Sequence, residues 1–407
     1  MDFGFTEEQE RLRKKVREFF QEELPEDYDW GGGAETAEEG QAFMRELQKK
    51  TAKQGYLTSG WPKEYDGMGL GYVEQGIVDE EFGYAGISWP SQLGLHLAAP
   101  AVFLFGTEEQ KKKFIPPLAR GEAVWFEAFT EPEAGSDEAN QQTRAVQDGD
   151  YFILNGQKTF ISGIYKPDFL YTLARTADTV PKHRGISLFL IPADLPGITY
   201  RALPSMGGGT QNDIFFDNVK VHKEYLLGEL NRGFYHAMAT FEFERTGTAF
   251  PGRVKRGLEE FIQFCKEEKR NGKPLIEDPE VRKLLAEMAV EAEIWKLMAW
   301  KAVWWFGNRE ELGPMPFDLS GMCNKQLTTA QSEKMSKILG IYGQLRQGSK
   351  WAKHEGRVER GWRSTRSLHA AGTLEIYKYV IARRGLGLPR IPAKLNAVIA
   401  QALDEKK

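Results

Sequence analysis

The stretch Phe126 to Asp137 combines carboxylates and hydroxyls at a point where a strand would end. It begins with apolar and aromatic residues and finishes in turn formers, a pattern typical of a strand that runs into a loop. Its polar and turn-forming residues are Thr130, Glu131, Pro132, Glu133, Gly135, Ser136 and Asp137. Loops anchored by strands often carry binding groups, although an ordinary polar surface loop has the same composition.

A second candidate for chemistry is Glu244, in the stretch FEFERTGTAF. Apolar and polar residues recur there at steps of three or four, which predicts one face of a helix: Phe234, Met238, Phe241, Arg245 and Thr248. Glu244 borders that face, and partial burial beside Phe243 would suit a general base. The alternative is a solvated glutamate in a charge cluster with Glu242.

Four stretches resemble the signatures of one family. TEPEAGSD, within the first stretch above, resembles the TEPxAGSD signature of the acyl-CoA dehydrogenases, which are flavoproteins. Three further stretches follow in the family's order: NGQKTFIS (155–162), FFDNVKVHKEYLLGELNRGF (215–234) and AGTLEIYKYVIARRGLGLPR (371–390). Because they span almost the whole chain, the sequence is identified as a member of that family.

The resemblance implies a reaction, a cofactor and partners. Members remove a proton from the α carbon and a hydride from the β carbon of an acyl-CoA thioester, which yields the 2-enoyl-CoA. The implied cofactor is FAD, and electrons pass to an electron-transfer flavoprotein. Stabilising the developing negative charge on the thioester oxygen is the largest demand on such a site, and positioning of base and flavin is the next.

The position of the catalytic base distinguishes branches of the family. Many members carry a glutamate just before the C-terminal Gly-Thr, where this chain has Ala371, which cannot accept a proton. Another branch carries its base in a Glu-Arg pair on a helix in the middle of the chain, and Glu244-Arg245 matches that pair. The resemblance therefore implies that Glu244 is the base.

Other roles follow from the same matches, residue by residue. The resemblance implies that the flavin contacts Glu127, Ala128, Phe129, Thr130, Phe160, Ile161, Ser162, Thr373 and Glu375. It implies that the substrate contacts Ser136, Glu242, Arg245 and Gly372. For Phe160 the alternative is a plain core aromatic of a hairpin.

The predicted elements form a helix–sheet–helix succession. Residues 1–122 are mostly helical, with capping boxes that begin at Thr6 and Thr107; residues 123–228 form strands, with a hairpin turn at Asn155-Gly156; and residues 229–407 are helical again, with a long helix over 280–306. This predicts an α+β fold of three domains, with the strands forming a small barrel or a sandwich. The resemblance implies a helical domain, a middle β-barrel and a C-terminal four-helix bundle that also forms the oligomer core.

Composition excludes several classes of protein. The 407 residues carry 54 basic and 58 acidic side chains, so no basic excess marks a nucleic-acid binder. Only two cysteines are present, which argues against disulfides and fits a reducing compartment. No signal peptide, membrane span or metal-ligand spacing is evident, so we expect a cytoplasmic protein without a metal site.

Two features leave the assembly and the activity open. The regions Lys269 to Met288 and Ile338 to Leu345 lack the pattern with which many members bind the adenine half of FAD across a dimer. The oligomer is therefore either a homodimer or homotetramer, or a heterotetramer with a sister subunit. The alternative activities are a flavin-dependent acyl-CoA oxidase and a non-catalytic partner subunit of a mixed complex.

Overall fold

Helices occupy both ends of the chain and a β-sheet occupies the middle, which confirms the predicted α+β organisation. The computed structural model describes residues 4–26, 28, 38–163, 165–179, 181–207, 210–244, 247–312, 318–364 and 370–389. Within these residues, no helix is both long enough and apolar enough to cross a membrane.

Among its described residues, the N-terminal part contains five α-helices, two 3-10 turns (Tyr56–Thr58 and Lys63–Tyr65) and one π-helical turn, Gly94–Ala98. The helices are α1 (Glu7–Glu23), α2 (Glu38–Lys53), α3 (Tyr72–Ala85), α4 (Ala99–Phe105) and α5 (Glu108–Ala119). Both predicted capping boxes are confirmed: the hydroxyls of Thr6 and Thr107 accept from the third residue of α1 and α5, and the glutamine side chain there accepts from the cap's own N–H.

Eight strands form the central sheet. They are β1 (Trp125–Ala128), β2 (Arg144–Asp148), β3 (Tyr151–Ser162), β4 (Phe169–Arg175), β5 (Ile186–Pro192), β6 (Ile198–Pro204), β7 (Thr210–His222) and β8 (Leu226–Leu227). Pairing runs β6-β7-β3-β2-β4-β5-β8, and β1 lies parallel to β4. Among the described strands β6 and β8 remain at the edges, so the sheet does not close into the β-barrel that the resemblance implies for this domain.

The predicted hairpin at Asn155-Gly156 is wrong. β3 continues through both residues as one strand of 12 residues, antiparallel to β7. A register shift at Gly156 marks a β-bulge, and a Cβ on this glycine would lie 2.6 Å from Thr143 Cα. Asn155 exchanges hydrogen bonds with Asn218 of β7. The Asn-Gly pair therefore lies at a bulge where two strands approach closely. Both features favour glycine, as a type I′ turn does.

The C-terminal part is a helical bundle. Its elements are α6 (Gly233–Glu244), α7 (Ala249–Glu267), the short strands β9 (Lys269–Arg270) and β10 (Lys273–Pro274), α8 (Pro279–Gly307), α9 (Arg309–Leu312), α10 (Asp318–Leu339), α11 (Arg357–Ser364) and α12 (Leu374–Val380). α8 packs against α7 and α10, and the shorter α11 and α12 both pack against α10. The predicted long helix over 280–306 is confirmed as α8.

Helix α3 connects the N-terminal helices to the bundle. Its carboxylates Glu80 and Glu81 accept hydrogen bonds from Arg13 of α1. Helix α3 also packs closely against α7. A Cβ added to Gly83 of α3 would lie 1.7 Å from the carbonyl oxygen of Ala249, and one added to Gly252 of α7 would lie 2.2 Å from the carbonyl oxygen of Glu80. The backbones of α3 and α7 therefore touch, which requires glycine at both positions.

Candidate active site

The end of β1 is fixed by a fully buried ion pair. Lys158 of β3 has no exposed surface, and its Nζ lies 2.7 Å from Glu131 Oε1 and 3.1 Å from the carbonyl oxygen of Phe129. Burial lowers the pKa of Lys158, and the charge on Glu131 opposes that fall. Glu131 also accepts from the backbone N–H groups of Gln142 and Thr143. This pair thus holds the end of β1, the start of β2 and the middle of β3 together.

The loop after Glu131 forms a tight turn and is fixed by hydrogen bonds from a buried arginine. Glu131 and Ala134 exchange both backbone hydrogen bonds across the turn. The buried guanidinium of Arg175 donates to the carbonyl oxygens of Ala139 and Gln141. Ser136 lies on the exposed side of this loop, as a binding hydroxyl would have to.

Phe160 is an exposed aromatic residue held in a strained backbone conformation. Its φ is 57°, in the left-handed region that bulky residues rarely adopt, and 57 % of its surface is exposed. It lies in a second bulge of β3, between Lys158 and Ile161. The bulge leaves Lys158 and Thr159 buried in succession, so that Phe160 and Ser162 both point outward. The N–H of Thr159 donates to the carbonyl oxygen of Thr130, which places Phe160 beside the end of β1.

The other residues predicted to contact the flavin divide by exposure. Ala128, Phe129 and Ile161 are buried in the core, so only their backbone groups could meet a ligand. Glu127 and Thr130 are half-buried. The outward surface at the end of β1 therefore consists of Thr130, Phe160 and Ser162 with the surrounding backbone.

Helix α6 lies directly against this strand end. The hydroxyls of Thr240 and Tyr171 of β4 are 3.4 Å apart, and both residues are fully buried. The rings of Phe241 and Phe129 have centroids 6.3 Å apart. Residue Tyr171 pairs with Glu127 across β4 and β1. The structure thus brings the helix that carries the predicted base to the strand predicted to face the flavin.

Glu244 is the last residue of α6 as described, and the chain is no longer helical at Gly247 and Thr248, where the sequence pattern predicts that the helix continues. The buried face of α6 is Gly233, His236, Ala237 and Thr240. Glu244 follows Thr240 by four residues and so extends that face, half-buried. Thr248, predicted on the same helix face, lies beyond α6, where its hydroxyl donates to the carbonyl oxygen of Gly76. Arg245 lies outside the described residues.

The remaining predicted substrate and cofactor residues lie on α6 itself and around the start of α12. The half-buried Glu242 has its Oε2 3.5 Å from an Nη2 of Arg309. Gly372 has a φ of 89° in the turn before α12, the hydroxyl of Thr373 caps that helix by accepting from Ile376, and Glu375 is exposed in its first turn. This turn is held by α10, whose Lys325 donates to the carbonyl oxygen of Ala370.

A cationic cluster at the other end of α6 is missed by the sequence analysis. We define it as Lys182, Arg184 and Arg232 with the rings of His183, Phe234 and Tyr235. The His183 ring lies 5.6 Å from that of Phe234 and 5.5 Å from that of Tyr235, and Arg232 lies 4.4 Å from the Tyr235 ring. Lys182 pairs with Asp137, which joins the cluster to the loop of Ser136. The basic run Lys-His-Arg at 182–184 was its only signal.

Cleft size does not identify this site. A cleft of 350 Å³ is lined by Arg17 and Tyr84, and one of 260 Å³ by Phe126 and Tyr200. Neither is lined by Glu244 or Phe160.

Within the described residues, no group of three or more His, Cys, Asp or Glu side chains is placed to hold a metal ion.

Three family models match successive parts of the chain. The model described as acyl-CoA dehydrogenase, N-terminal domain, matches residues 6–122. The middle-domain model matches residues 127–219, and the C-terminal-domain model matches residues 231–386.

Individual relatives are similar over nearly the whole chain. Acyl-CoA dehydrogenase FadE26 of Mycobacterium tuberculosis is 31% identical over 398 residues, which cover 96% of this chain and 99% of that protein. The caffeyl-CoA reductase-Etf complex subunit CarC of Acetobacterium woodii is 33% identical over 392 residues, with 93% and 98% covered. The solved structure of the Tcur3481-Tcur3483 steroid ACAD has a TM-score of 0.86 at 30% identity and covers 96% of this chain and all of that one.

The first prediction concerns Glu138, in the loop after β1. Burial raises the pKa of its carboxyl to about 7, the Glu131 carboxylate adds to the rise, and Lys158 opposes it. Because this pKa is higher in the folded than in the unfolded chain, the contribution to stability is complete below about pH 4.5 and is lost as the pH rises through about 7. Glu138→Gln should therefore raise the Tm at pH 8, by the equivalent of roughly 3 kcal/mol at most, and leave it unchanged at pH 4.5.

Thermal unfolding at both pH values is the measurement. Glu133→Gln, an exposed carboxylate on the same loop, is the control and should change the Tm at neither pH. Equal Tm shifts for Glu138→Gln at pH 4.5 and pH 8 would contradict the assigned titration.

Proposed function

Because the chain belongs to the acyl-CoA dehydrogenase family and is an oxidoreductase, we propose that it oxidises an acyl-CoA thioester to the 2-enoyl-CoA with FAD as cofactor. Glu244 is the base that removes the proton from the α carbon. The observation that carries this proposal is the contact between α6 and the end of β1, through Thr240–Tyr171 and Phe241–Phe129. It puts a half-buried carboxylate and an exposed, strained aromatic residue on neighbouring elements.

The residues at the end of β1 fit an isoalloxazine ring. Phe160 offers an open aromatic face, Ser162 offers a hydroxyl on the same side of β3, and the chain at Thr130 offers backbone groups. An exposed phenylalanine with a left-handed backbone is costly unless something covers it. When bound, the flavin supplies the acceptor for the hydride from the β carbon. Gly372, Thr373 and Glu375 are proposed to contact the thioester and the flavin diphosphate.

The protein's own part in the chemistry is to hold and desolvate the substrate. Glu244 extends the buried face of α6, so the apolar side of that helix excludes water around the carboxylate. A proton acceptor fixed on a packed helix is positioned without further loss of entropy. Arg245 belongs to the proposed set through its match to the Glu-Arg pair, and Glu242 and Ser136 are proposed to contact the coenzyme A portion.

The cationic cluster is proposed to bind the nucleotide end of coenzyme A. α6 spans 12 residues, so Gly233 and Glu244 lie about 16 Å apart along its axis. An extended pantetheine arm has the length of about four residues of extended chain, or roughly 14 Å. Its phosphates would then reach Arg184 and Arg232, and its adenine the ring of Tyr235.

An exposed apolar stripe on α8 supports a role in assembly. Val290, Ile294 and Leu297 lie at helical spacing and are 61%, 46% and 40% exposed. We propose that it packs against another subunit, either a second copy of this chain or a sister subunit.

Electrons would pass to an electron-transfer flavoprotein, as the name of the caffeyl-CoA reductase-Etf relative suggests for that protein. We also propose that the domains divide near residues 122 and 228.

Two alternatives give different outcomes in solution. An acyl-CoA oxidase of this fold would produce peroxide on turnover without an added electron acceptor. A non-catalytic partner subunit would be colourless when expressed alone and would bind flavin only with a sister chain. The presence of both Glu244 and Phe160 counts against the non-catalytic partner subunit.

Replacing the proposed base should slow turnover strongly without releasing the flavin. Glu244→Gln removes the proton acceptor and keeps the volume, so kcat should fall by about 10²–10⁴-fold. The measurement is anaerobic bleaching of the purified flavoprotein by a panel of acyl-CoA thioesters. Glu293→Gln, a helix glutamate on α8 paired with Lys296, is the control and should bleach at the wild-type rate. Wild-type turnover by Glu244→Gln would contradict the proposal that Glu244 is the base.

Neutralising the cationic cluster should weaken binding but not chemistry. In the double variant Arg184→Ala/Arg232→Ala, loss of two contacts to phosphate should raise the KM for an acyl-CoA about tenfold or more while kcat stays within about twofold. An acyl-pantetheine, which lacks the nucleotide, should show no change in KM. Lys113→Ala, another surface cation, is the matched control. Equal effects on both substrates would show that the cluster acts on something other than the nucleotide.

Charging the α8 stripe should change the mass in solution. Val290→Glu/Ile294→Glu should dissociate the assembly, because two carboxylates cannot be buried unpaired in a subunit interface. Analytical ultracentrifugation measures the mass of this variant and of Val146→Glu, an equally exposed position on β2 that serves as control. A wild-type monomer that gains mass only with a sister chain would indicate the heteromer, and an unchanged mass in the double variant would place the interface elsewhere.

A further inference from the structure

Tyr171 connects the central sheet to α6 through a pair of hydroxyls in the core. Its Oη lies 3.4 Å from Oγ1 of Thr240, and neither residue has any exposed surface. The Thr240 hydroxyl donates to the carbonyl oxygen of Ala237, 2.9 Å away, so Tyr171 is the donor of the pair and Thr240 the acceptor. Burial raises the pKa of Tyr171, so the phenol keeps its proton and stays a donor.

The strand that carries Tyr171 is fixed within the sheet. β4 pairs with β1, β2 and β5. The ring of Tyr171 also lies 5.0 Å from the ring of Phe129 at the end of β1. The carbonyl oxygen of Phe129 accepts hydrogen bonds from Lys158 and Gln141. The Tyr171 hydroxyl is therefore held in place by the sheet and by the buried ion pair beside it.

The other contacts of α6 with the core are mainly apolar. Phe234, Met238 and Phe241 pack against the core, and the backbone of Gly233 fixes the start of the helix, because a Cβ there would lie 2.3 Å from the backbone N of Leu188. Apolar packing has no preferred direction, so by itself it permits small rotations further along the helix. The bond at Thr240 is directional and lies about two turns after Gly233. It therefore fixes the rotation of α6 toward its end.

The rotation at Thr240 decides where the proposed base lies. Glu244 follows Thr240 by four residues and lies one turn further along the same face. Side chains reach about 5–6 Å from a helix axis, so a rotation of about 10° displaces their ends by roughly 1 Å. A misplacement of about 1 Å can slow a reaction by about 10²-fold.

We propose that the hydroxyl of Tyr171 is a positioning group for Glu244 and acts through Thr240. This inference rests on the proposed function, in which Glu244 removes the α proton. Neither Tyr171 nor Thr240 is among the residues to which the resemblance assigns a role. Because the bond places the carboxylate and not the substrate, it determines how fast the proton is removed and leaves the affinity for the acyl-CoA unchanged.

Single substitutions on the purified holoenzyme test the effect on rate. Tyr171→Phe removes the hydroxyl and keeps the ring. At saturating acyl-CoA, anaerobic flavin bleaching should slow about tenfold, while the half-saturating acyl-CoA concentration and the flavin content stay within about twofold. Thr240→Val should give the same loss, and Thr240→Ser, which keeps the hydroxyl, should bleach within about twofold of the wild-type rate. Tyr200→Phe, which removes a hydroxyl bonded to the carbonyl oxygen of Ala193, is the control and should bleach at the wild-type rate.

The double variant Tyr171→Phe/Thr240→Val tests whether the two hydroxyls act as one pair. It should bleach about as slowly as either single variant, whereas independent effects would multiply to about 100-fold. The Tm of the same proteins reports the bond itself. Thr240→Val leaves a buried phenol without its acceptor and should lower the Tm more than Tyr171→Phe does, and the double variant should regain part of that loss.

Three results would overturn the inference while the dehydrogenase activity stands. They are a wild-type bleaching rate in Tyr171→Phe, losses of rate that multiply in the double variant, and a Tm for Thr240→Val no lower than that of Tyr171→Phe. Failure of every acyl-CoA from butanoyl to octanoyl to bleach the wild-type flavin would instead overturn the proposed function and this inference with it.

Discussion

The ion pair between Lys158 and Glu131 is the constraint on which the rest of the site depends. Both side chains are removed from water, at a cost of several kcal/mol for each ion, and good geometry must offset that cost. The geometry is provided by the carbonyl oxygen of Phe129, the side chain of Gln141 and the N–H groups of Gln142 and Thr143. Three strands and the loop after β1 are consequently joined at one point. A single substitution at Lys158 would leave an unpaired carboxylate in the core.

The same pair accounts for the exposed aromatic residue beside it. Lys158 and Ile161 are three residues apart, so both can point inward only because β3 bulges between them, and that bulge turns Phe160 out and into the left-handed region. The strain at Phe160 is thus a consequence of burying Lys158 and Ile161 together. A strained residue that persists because the surrounding core determines it is typical of functional sites. The buried Lys158 and the exposed Phe160, which is proposed to contact the flavin, therefore lie on opposite sides of the same irregular strand, β3.

Local signals in the sequence predicted the local features well. The capping boxes at Thr6 and Thr107 and the length of α8 depend on neighbouring residues and were confirmed. Asn155-Gly156 was misread because a type I′ turn and a bulge need the same residues, and only pairing with β7 decides between them. The end of α6 before Gly247 was missed because Thr248 fits the helical period but bonds to Gly76, 172 residues away. The sequence did not show that the sheet stays open, for the same reason: edge pairing is a long-range property.

The site itself was predicted only where a resemblance named its residues. The Lys158–Glu131 pair and the cationic cluster join positions tens of residues apart, so no local pattern in one sequence marks them. Glu244 and Phe160 were identified from short matched stretches. Contacts between α6, β4 and the end of β1, which only the coordinates show, bring together the elements that carry them.

The 12-residue length of α6 has a consequence for the carrier on which an acyl group arrives. On the proposed function, the carrier's attachment point and the reacting carbon lie at the two ends of this one helix. A thioester on a simple thiol would span only part of it, and a phosphopantetheine attached to a protein would bring that protein's surface against Arg184 and Arg232. Each full turn added to the helix would displace one end by about 5.4 Å. If the substrate lies along α6 as proposed, the number of turns in this helix selects among free thioesters, coenzyme A esters and protein-bound thioesters.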